Sequence, residues 1–368
     1  MNYLELDTPS LVIKKNTVEE NIKFMQDLAN INNVNLRPHT KTHKMPKIAK
    51  LQLSNGAIGI AVAKIGEAEV MCDNGINDIF IANEIIGKQK FQRIAALSKS
   101  NYISFGVDNP IQVIQANDVF KSFNQTANVL VEIEVGENRS GIIEKKDFIQ
   151  LLNVIKKSTN ITFKGIFSHD GNSYSAKNIE SCIDISINAQ KRTLEFSHIA
   201  KEMDMVCEVV SYGSTPTLFN KCPILDGITE IRPGTYIFMD ASQANSVNDI
   251  SRCAAMVLAS VISKPTKSRV ILDVGAKGLT MQERTLGICK TIGKGTLFNY
   301  PNTYIEKVFD EHAIINNEEF SKQINIGDKV LIIPVHICPV CNLYEKAYLI
   351  DQNEVVDEID IACRAKLQ

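Results

Sequence analysis

The chain has no run approaching the ~20 apolar residues of a membrane-spanning helix, which argues against a bilayer-embedded protein. It also lacks an excess of either charge: 40 Lys+Arg stand against 42 Asp+Glu, mixed along the sequence, for a net charge of −2. That balance leaves no electrostatic footprint for a phosphate backbone or an anionic membrane, so neither nucleic acid nor membrane is an expected partner. Low-complexity tracts, a Pro-rich linker and short repeats are missing too. Met1–Pro9 is short and acidic, without the basic start and apolar run of a signal peptide, and a cytoplasmic protein is expected. Cysteine is present, but its nine copies are odd in number and scattered through a chain too long to need disulfide staples. They are expected to be reduced thiols, and only Cys338 and Cys341 lie close together, beside His336.

What is there is an ordinary balance, 44% hydrophobic and 22% charged over 368 residues, ample for a sizeable core. At ~100–200 residues per domain the length suggests two domains, or one barrel of ~250 residues with a smaller appendage. Eight apolar or β-branched runs read as strands: Val34–Arg37, Ala57–Ala63, Asp78–Ala82, Tyr102–Val107, Asn128–Val135, Thr162–Phe167, Cys207–Val210 and Glu230–Met239. Helix-length stretches lie between them at Val18–Asn30, with Asn16 or Thr17 as N-cap, then Ile65–Asp73, Lys88–Leu97, Pro110–Ala116, Lys145–Lys157 and Ser181–Asp204. This alternation predicts an α/β fold, a parallel (β/α)8 barrel of the TIM type. After about Asp240 the runs Ala254–Ile262, Ser268–Val274, Lys329–Ile333 and Lys346–Ile350 predict a smaller, mainly β C-terminal domain. The extended Leu11–Ile13 has no barrel role and is expected to join it, giving a barrel over 14–243 and a β domain over 1–13 and 244–368.

In such barrels the reacting groups sit at the C-terminal ends of the strands. The polar residues ending successive runs are Lys41, Lys64, Asn83, Asp108, Arg139 after Glu134, His169, Gly213-Ser214-Thr215 and Arg232-Pro233-Gly234-Thr235. Lys41 stands in Arg37-Pro38-His39-Thr40-Lys41-Thr42-His43-Lys44, and a confined lysine beside other cations loses its proton more readily and can form a Schiff base with an aldehyde. A solvated basic loop is the other reading. The segments Ser211–Thr217 and Arg232–Tyr236 pair glycine, which permits close backbone approach, with hydroxyls and N–H groups able to cradle a phosphate, although either alone could be a turn. A phosphate clamp opposite a lysine suggests pyridoxal phosphate.

Further motifs carry a family likeness: Leu6-Asp7-Thr8-Pro9-Ser10-Leu11-Val12, the basic run 37–44, Ala63-Lys64-Ile65-Gly66-Glu67-Ala68-Glu69, Ile81-Ala82-Asn83, Val131-Glu132-Ile133-Glu134-Val135-Gly136 with Asn138-Arg139-Ser140-Gly141, His169-Asp170-Gly171, Arg232-Pro233-Gly234-Thr235-Tyr236 and His336-Ile337-Cys338-Pro339. With these, in this order, the sequence resembles the D-threonine aldolase and D-serine dehydratase family, whose barrel is similar to that of alanine racemase, the fold type III class of pyridoxal phosphate enzymes. The resemblance implies that Lys41 holds the cofactor as an internal aldimine, that Arg139 lies near its phenolic oxygen and that His169 lies against the pyridine ring. Gly213, Ser214, Thr215, Gly234 and Thr235 would bind the phosphate, with Tyr236 nearby. Arg232 matches the racemase position facing the pyridine nitrogen, where an arginine would leave that nitrogen unprotonated; the aldolase branch varies there. Two departures are a loop at 213–216 poorer in glycine than is usual in the family, and Asn172 where a second histidine is expected. The family also implies a homodimer with each active site near the partner's β domain.

His336 and Cys338, two residues apart, would share one side of an extended strand and could grip one ion. Two ligands are too few for a closed structural site but leave the open positions of a catalytic divalent metal; a half-buried histidine beside packed cysteines is the other reading. In the family, aldolases typically show His-x-Asp with a preference for manganese or similar ions, whereas D-serine dehydratases show His-x-Cys and use zinc. The soft Cys338 favours zinc, with manganese the alternative. Cys341, an odd number of residues on, would face away on a continuing strand and is expected to be structural. The expected activity is that of a lyase on a small β-hydroxy-D-amino acid, with retro-aldol cleavage to glycine and an aldehyde leading and elimination to a 2-oxo acid and ammonia as the alternative. A racemase would need a second acid/base such as Tyr304, Tyr344 or Tyr348 and would leave the His-x-Cys pair without purpose. A non-catalytic cofactor carrier is usually a bare barrel.

Overall fold

The computed structural model describes all 368 residues. The chain starts with β1 (Ser10–Lys14), which runs directly into α1 (Lys15–Ile31). There follow β2 (Asn35–Leu36), α2 (Pro46–Ser54), β3 (Ile60–Val62), α3 (Ile65–Asp73), β4 (Asp78–Glu84), α4 (Lys88–Leu97), β5 (Tyr102–Val107), α5 (Pro110–Ser122), β6 (Ala127–Ile133) and α6 (Lys145–Lys157). Next come β7 (Ile161–Ser168), α7 (Ile179–Glu202), β8 (Val209–Tyr212), α8 (Thr215–Phe219), β9 (Glu230–Ile231) and α9 (Ala241–Val247). Strands β2 to β9 form one parallel sheet in the order β2-β9-β8-β7-β6-β5-β4-β3. Backbone bonds from Ala61 N to Pro38 O (2.9 Å) and from Thr40 N to Ala61 O (2.8 Å) close it into the eight-stranded barrel.

The rest of the chain is mostly β: β10 (Ala255–Ser263), β11 (Arg269–Leu272), α10 (Ala276–Leu279), β12 (Gly295–Leu297), β13 (Lys307–Val308), β14 (Ala313–Asn316), α11 (Glu318–Gln323), β15 (Lys329–Pro334), α12 (Ile337–Cys341), β16 (Lys346–Asp351) and β17 (Glu354–Asp360). Their sheet runs β13-β14-β11-β10-β1-β16-β17, with β15 pairing β10 and β12. β1 sits in its middle, antiparallel to β10 and parallel to β16, and its Leu11, Val12 and Ile13 are fully buried.

Local chemistry explains most element boundaries. Pro110 starts α5 behind Asn109, whose side chain accepts from Ile111 N and Gln112 N, while the Gln112 side chain accepts from Asn109 N. Asn178 caps α7 through Ser181 N, so that helix starts two residues ahead of the sequence reading. α1 starts at Lys15 with no side-chain cap: neither Asn16 nor Thr17 plays that role, because the helix grows straight out of β1. α5 runs on past Ala116 to Ser122, since Val119 and Phe120 continue the buried face of Val113 and Ala116. The strand expected over Glu230–Met239 stops at Ile231, because Pro233 has no N–H for the ladder and Gly234 begins a 3-10 turn at Thr235–Ile237. Helices α2 and α8 escaped the sequence reading; each is short, and α8 carries Pro216 in its first turn.

The period of two along each barrel strand decides what faces inward. Ala61, Phe80, Leu130 and Phe167 form a small core inside the barrel, separate from the 90-residue cluster that fills the space between strands and helices and continues through the β sheet. Phe80 and Phe167 meet edge to face, their ring centroids 5.0 Å apart. Two residues further along their strands come Ala82, Glu132 and His169, which places these side chains at the open, C-terminal end.

Candidate active site

Above that aromatic floor lies a cavity of about 510 Å³ lined by Lys41, Arg139, His169, Ser214, Thr215, Arg232, Gly234 and Thr235, together with His39, Glu132, Phe167 and Tyr174. It opens into a wider mouth of about 1,210 Å³ that shares Lys41, Arg139, His169, Tyr174 and Thr235 and adds His336, Cys338 and Arg284. Residues chosen from the sequence at both ends of the chain therefore meet around one space.

Arg232 lies across the floor, its guanidinium 5.1 Å from the Phe167 ring centroid and 5.7 Å from that of Phe80. It donates to Ser168 O (2.9 Å) and to Ser211 Oγ, which in turn donates to Glu230 Oε1 (2.6 Å). Glu230 Oε2 accepts from Arg37 Nε at 2.7 Å, and Arg37 reaches Asp78 at 2.6 Å. Burial lowers Arg232 to about 10, with Glu230 and Glu132 opposing, so it remains a cation at neutral pH. Arg139 stands 3.3 Å from Glu137 and 3.9 Å from Glu132. Glu132 sits next to Glu84, whose carboxyl is pushed up to about 9 first by burial and then by Glu132 itself, as expected of two carboxyls sharing one proton.

Burial also holds the Lys41 ammonium below the usual lysine range; Arg139 and Arg232 push the same way, and Cys338 and Glu137 oppose them. His39 Nδ1 accepts from Lys41 N at 3.3 Å. His169 Nδ1 stands 3.1 Å from Gly213 O, a group that can only accept, so Nδ1 carries the proton and Nε2 a lone pair. Burial and the surrounding cations keep both imidazoles neutral.

Gly213 and Tyr236 do not line the cavity. Gly213 adopts φ +126°, which favours glycine, and supplies the carbonyl that orients His169. Tyr236 is buried with its hydroxyl accepting from Gln52 Nε2 (2.8 Å), while its backbone N donates to Thr215 Oγ1 (3.2 Å) and ties the two hydroxyl-bearing loops together. At Gly234 a Cβ would stand 3.2 Å from Thr42 Oγ1 and 3.3 Å from His39 O, so the bare backbone keeps this wall of the cavity open. Hydroxyls of Ser214, Thr215 and Thr235 beside that opening, with Lys41, Arg139 and Arg232 around it, suit a phosphorylated aldehyde.

The His336–Cys338 pair does not lie on an extended strand as expected. β15 ends at Pro334, His336 caps α12, and Cys338 falls in the first turn of that helix, yet both line the mouth. His336 Nδ1 lies 2.8 Å from Gln282 Oε1, which fixes the proton on Nδ1 and leaves Nε2 free as a ligand. Cys338 Sγ lies 3.2 Å from Thr42 Oγ1 and 3.5 Å from Thr235 Oγ1. Asp240, fully buried, accepts from Gln243 N (2.9 Å) with one oxygen and from Ile337 N (3.1 Å) with the other, so a single carboxylate joins the end of the barrel to the start of α12. No three His, Cys, Asp or Glu side chains gather within coordinating reach, and a metal here would have two protein ligands and open positions. Cys341 is buried in the main hydrophobic cluster; it is the helix, not a continuing strand, that sets its direction. All nine cysteines are free.

Comparison with known proteins agrees with this architecture. The profile described as alanine racemase, N-terminal domain, matches residues 13–242. The chain belongs to the alanine racemase-like family. A serine dehydratase domain profile matches residues 254–350 of the same chain. Relatives include the D-threonine aldolase of Arthrobacter sp, 29% identical over 98% of this chain and 93% of its own length, and the D-threo-3-hydroxyaspartate dehydratase of Delftia sp., 28% identical over 91% and 92%. The crystal structure of D-threonine aldolase from Filomicrobium marinum superposes with a TM-score of 0.91 at 27% identity, covering 100% of this chain and 98% of that one. The alanine racemase-like barrel with its β domain is thus an enzyme of the pyridoxal phosphate-dependent lyase class. No helix in it is long and apolar enough to cross a membrane.

Several residues of this alanine racemase-like site were not selected from the sequence. Glu132 had a signal, being an acid at an inward position in the otherwise apolar run Val129–Ile133. Tyr174, Gln282, Arg284 and Asp240 had none: packing alone brings the loop residues Tyr174 and Arg284 to the mouth, and Gln282 and Asp240 to the hydrogen bonds that hold His336 and Ile337.

Proposed function

We propose that this chain is a lyase of β-hydroxy-D-amino acids, with D-threonine aldolase-type cleavage to glycine and an aldehyde as its reaction. The observation that carries the proposal is that Lys41 and the His336–Cys338 pair line the same mouth. Pyridoxal phosphate supplies an electron sink at the substrate's Cα when bound. Lys41 would hold its aldehyde, Ser214, Thr215, Gly234 and Thr235 its phosphate, helped by Gly213 through the loop it turns, with Tyr236 bracing Thr215 from behind. Arg139 would face the phenolic oxygen and His169 the ring. Arg232 stays cationic and offers only donors, which leaves a facing pyridine nitrogen unprotonated.

A divalent metal at His336 and Cys338 supplies Lewis-acid polarisation of a substrate hydroxyl, and the soft thiolate favours zinc over manganese. Gln282 fixes the imidazole tautomer, and the hydroxyls of Thr42 and Thr235 flank the thiolate. Lys41, with its proton affinity depressed by burial, is the group of this chain suited to move a proton at Cα once its amine is free. The aromatic floor and Arg232 close the barrel from below and keep water from that side. The same wall serves a dehydratase if the α-proton leaves instead of the Cα–Cβ bond breaking; Cys338 favours that second reading, which gives a 2-oxo acid and ammonia. In this proposal the barrel over 14–243 carries the cofactor, and the β domain over 1–13 and 244–368 carries the metal. A homodimer rests on the family resemblance alone.

The test is product analysis by NMR after incubating D-threonine with enzyme loaded with pyridoxal phosphate and zinc or manganese. Glycine plus acetaldehyde is expected. Formation of 2-oxobutyrate and ammonia would replace the aldolase by the dehydratase, and conversion of D-threonine into its Cα epimer L-allo-threonine, without cleavage or elimination, would remove the lyase proposal.

A further inference from the structure

Four cations line the mouth, Lys41, Lys44, Arg139 and Arg284, against one carboxylate, Glu137. Three of them are engaged. Lys44 pairs with Glu67 at 2.9 Å, Arg139 stands between Glu137 and Glu132, and Lys41 is the cofactor lysine of the proposed function. Arg284 makes no ion pair and no side-chain hydrogen bond; its guanidinium lies 5.0 Å from the ring centroid of Tyr174. Packing against an aromatic face leaves the guanidinium's edge N–H groups free for a planar anion.

The fold holds this cation in place. Residues 282–289 leave the β domain and lie on the barrel loop that carries Tyr174: Ile288 N donates to Ala176 O (2.8 Å) and Cys289 N to Tyr174 O (3.4 Å). At Gly287 (φ +68°) a Cβ would come within 2.4 Å of the Ser175 carbonyl carbon, so the two backbones touch. Arg284 O accepts from Thr291 N at 2.8 Å, which closes the segment on itself. Gln282, two residues before Arg284, accepts from His336. Arg284 is therefore the unpaired cation of the mouth, in the segment whose Gln282 meets the metal-ligand candidate His336.

We infer that Arg284 binds a carboxylate carried on the substrate's Cβ, and that the preferred substrates are β-hydroxy-D-amino dicarboxylates, of the 3-hydroxy-D-aspartate type, over those with a methyl group or hydrogen there. The inference rests on the proposed function, in which the β-hydroxyl goes to the His336–Cys338 wall. A group sharing Cβ with that hydroxyl lies on the same wall. A methyl group would leave the guanidinium facing apolar surface with its donors unpaired, whereas a carboxylate accepts two parallel N–H bonds.

The experiment titrates the zinc- and pyridoxal phosphate-loaded enzyme with D-aspartate and with D-2-aminobutyrate, following the cofactor absorbance. Neither ligand carries a β-hydroxyl, so binding is read apart from cleavage. Wild type is expected to bind D-aspartate at least about 10-fold more tightly. Arg284→Met should weaken D-aspartate by about the same factor and D-2-aminobutyrate by less than about 2-fold, with Arg284→Lys intermediate. Equal weakening of both ligands would mean that Arg284 takes the α-carboxylate common to every amino acid, and would overturn the inference. Equal wild-type affinity for the two ligands would overturn it as well. Failure of the lyase reading shows separately, as absence of cleavage or elimination of either D-threonine or 3-hydroxy-D-aspartate.

Discussion

On the barrel side of the cavity Glu132 stands on β6 and His169 just beyond β7, each two residues past a buried side chain, Leu130 and Phe167, while Lys41 and Arg232 lie in the segments beyond β2 and β9. A second wall is built by α12: Cys338, beside Thr42 and Thr235 of the barrel, stands in the first turn of this five-residue helix with His336 at its N-cap, and Ile337 N–H is held by one carboxylate of the barrel, Asp240. The first wall is a consequence of strand period and hydrogen-bonded closure of the barrel. The second exists only because β1 draws the end of the chain back into one sheet and α12 docks at the mouth. On the proposed function the cofactor would sit on the first wall and the metal on the second, so each should be lost without the other.

The largest effects test that separability. Lys41→Ala should abolish the absorbance of covalently held cofactor and lower turnover by at least about 10³-fold while the bound-metal content stays unchanged; Cys338→Ala should do the reverse, losing metal and turnover but keeping the cofactor spectrum. Metal analysis beside the absorbance spectrum reads both, and loss of cofactor and metal together in either variant would show that the walls are one unit.

A second substitution sharpens the contrast from below. Arg37 is buried between Glu230 and Asp78, and Arg37→Met leaves the Glu230 carboxylate in the barrel with only Ser211 as partner. The expected cost is about 3–5 kcal/mol of stability, because an uncompensated buried charge is left behind. Denaturant unfolding checks it, and a loss below about 1 kcal/mol would mean that the barrel floor does not depend on this charge line.

The smallest effect concerns pH. His43 is buried just after Lys41, its Nδ1 accepting from Met45 N at 3.0 Å, and burial lowers it to about 4. Its folded pKa lies below the unfolded value of about 6.5, so the unfolded chain binds more protons between pH 6.5 and pH 4. The stability due to His43 is therefore complete above pH 6.5 and is lost as pH falls toward 4, amounting to about 2 kcal/mol between pH 7 and pH 5. The difference in unfolding midpoint between those pH values should shrink accordingly in His43→Asn, whose side-chain oxygen can still accept from Met45.

Much of this was legible in the residues. Alternating runs announced eight barrel strands, and the rule that reacting groups end those strands picked out Lys41, His169, Ser214 and Arg232, because strand period and sheet closure are local properties repeated eight times. The same logic failed where local rules give way. Pro233 and Gly234 cut the last strand short, α8 was too brief to show a period, α2 went unread although it is as long as α3, and Cys338 fell in the first turn of a short helix with His336 at its N-cap.

By itself, then, the sequence determined the barrel, the β character of the remainder, and the presence of a lysine at a strand end and of a histidine two residues from a thiol, since these follow from side-chain chemistry and short-range periodicity. Only the tertiary structure decided that the lysine and the His-x-Cys pair, almost 300 residues apart, share one cavity, and that Tyr174, Asp240, Gln282 and Arg284 complete it. Those four lie in turns, loops and a cap without a period of their own. Their positions come from one sheet threaded by both ends of the chain and from a few hydrogen bonds that no nearest-neighbour rule contains.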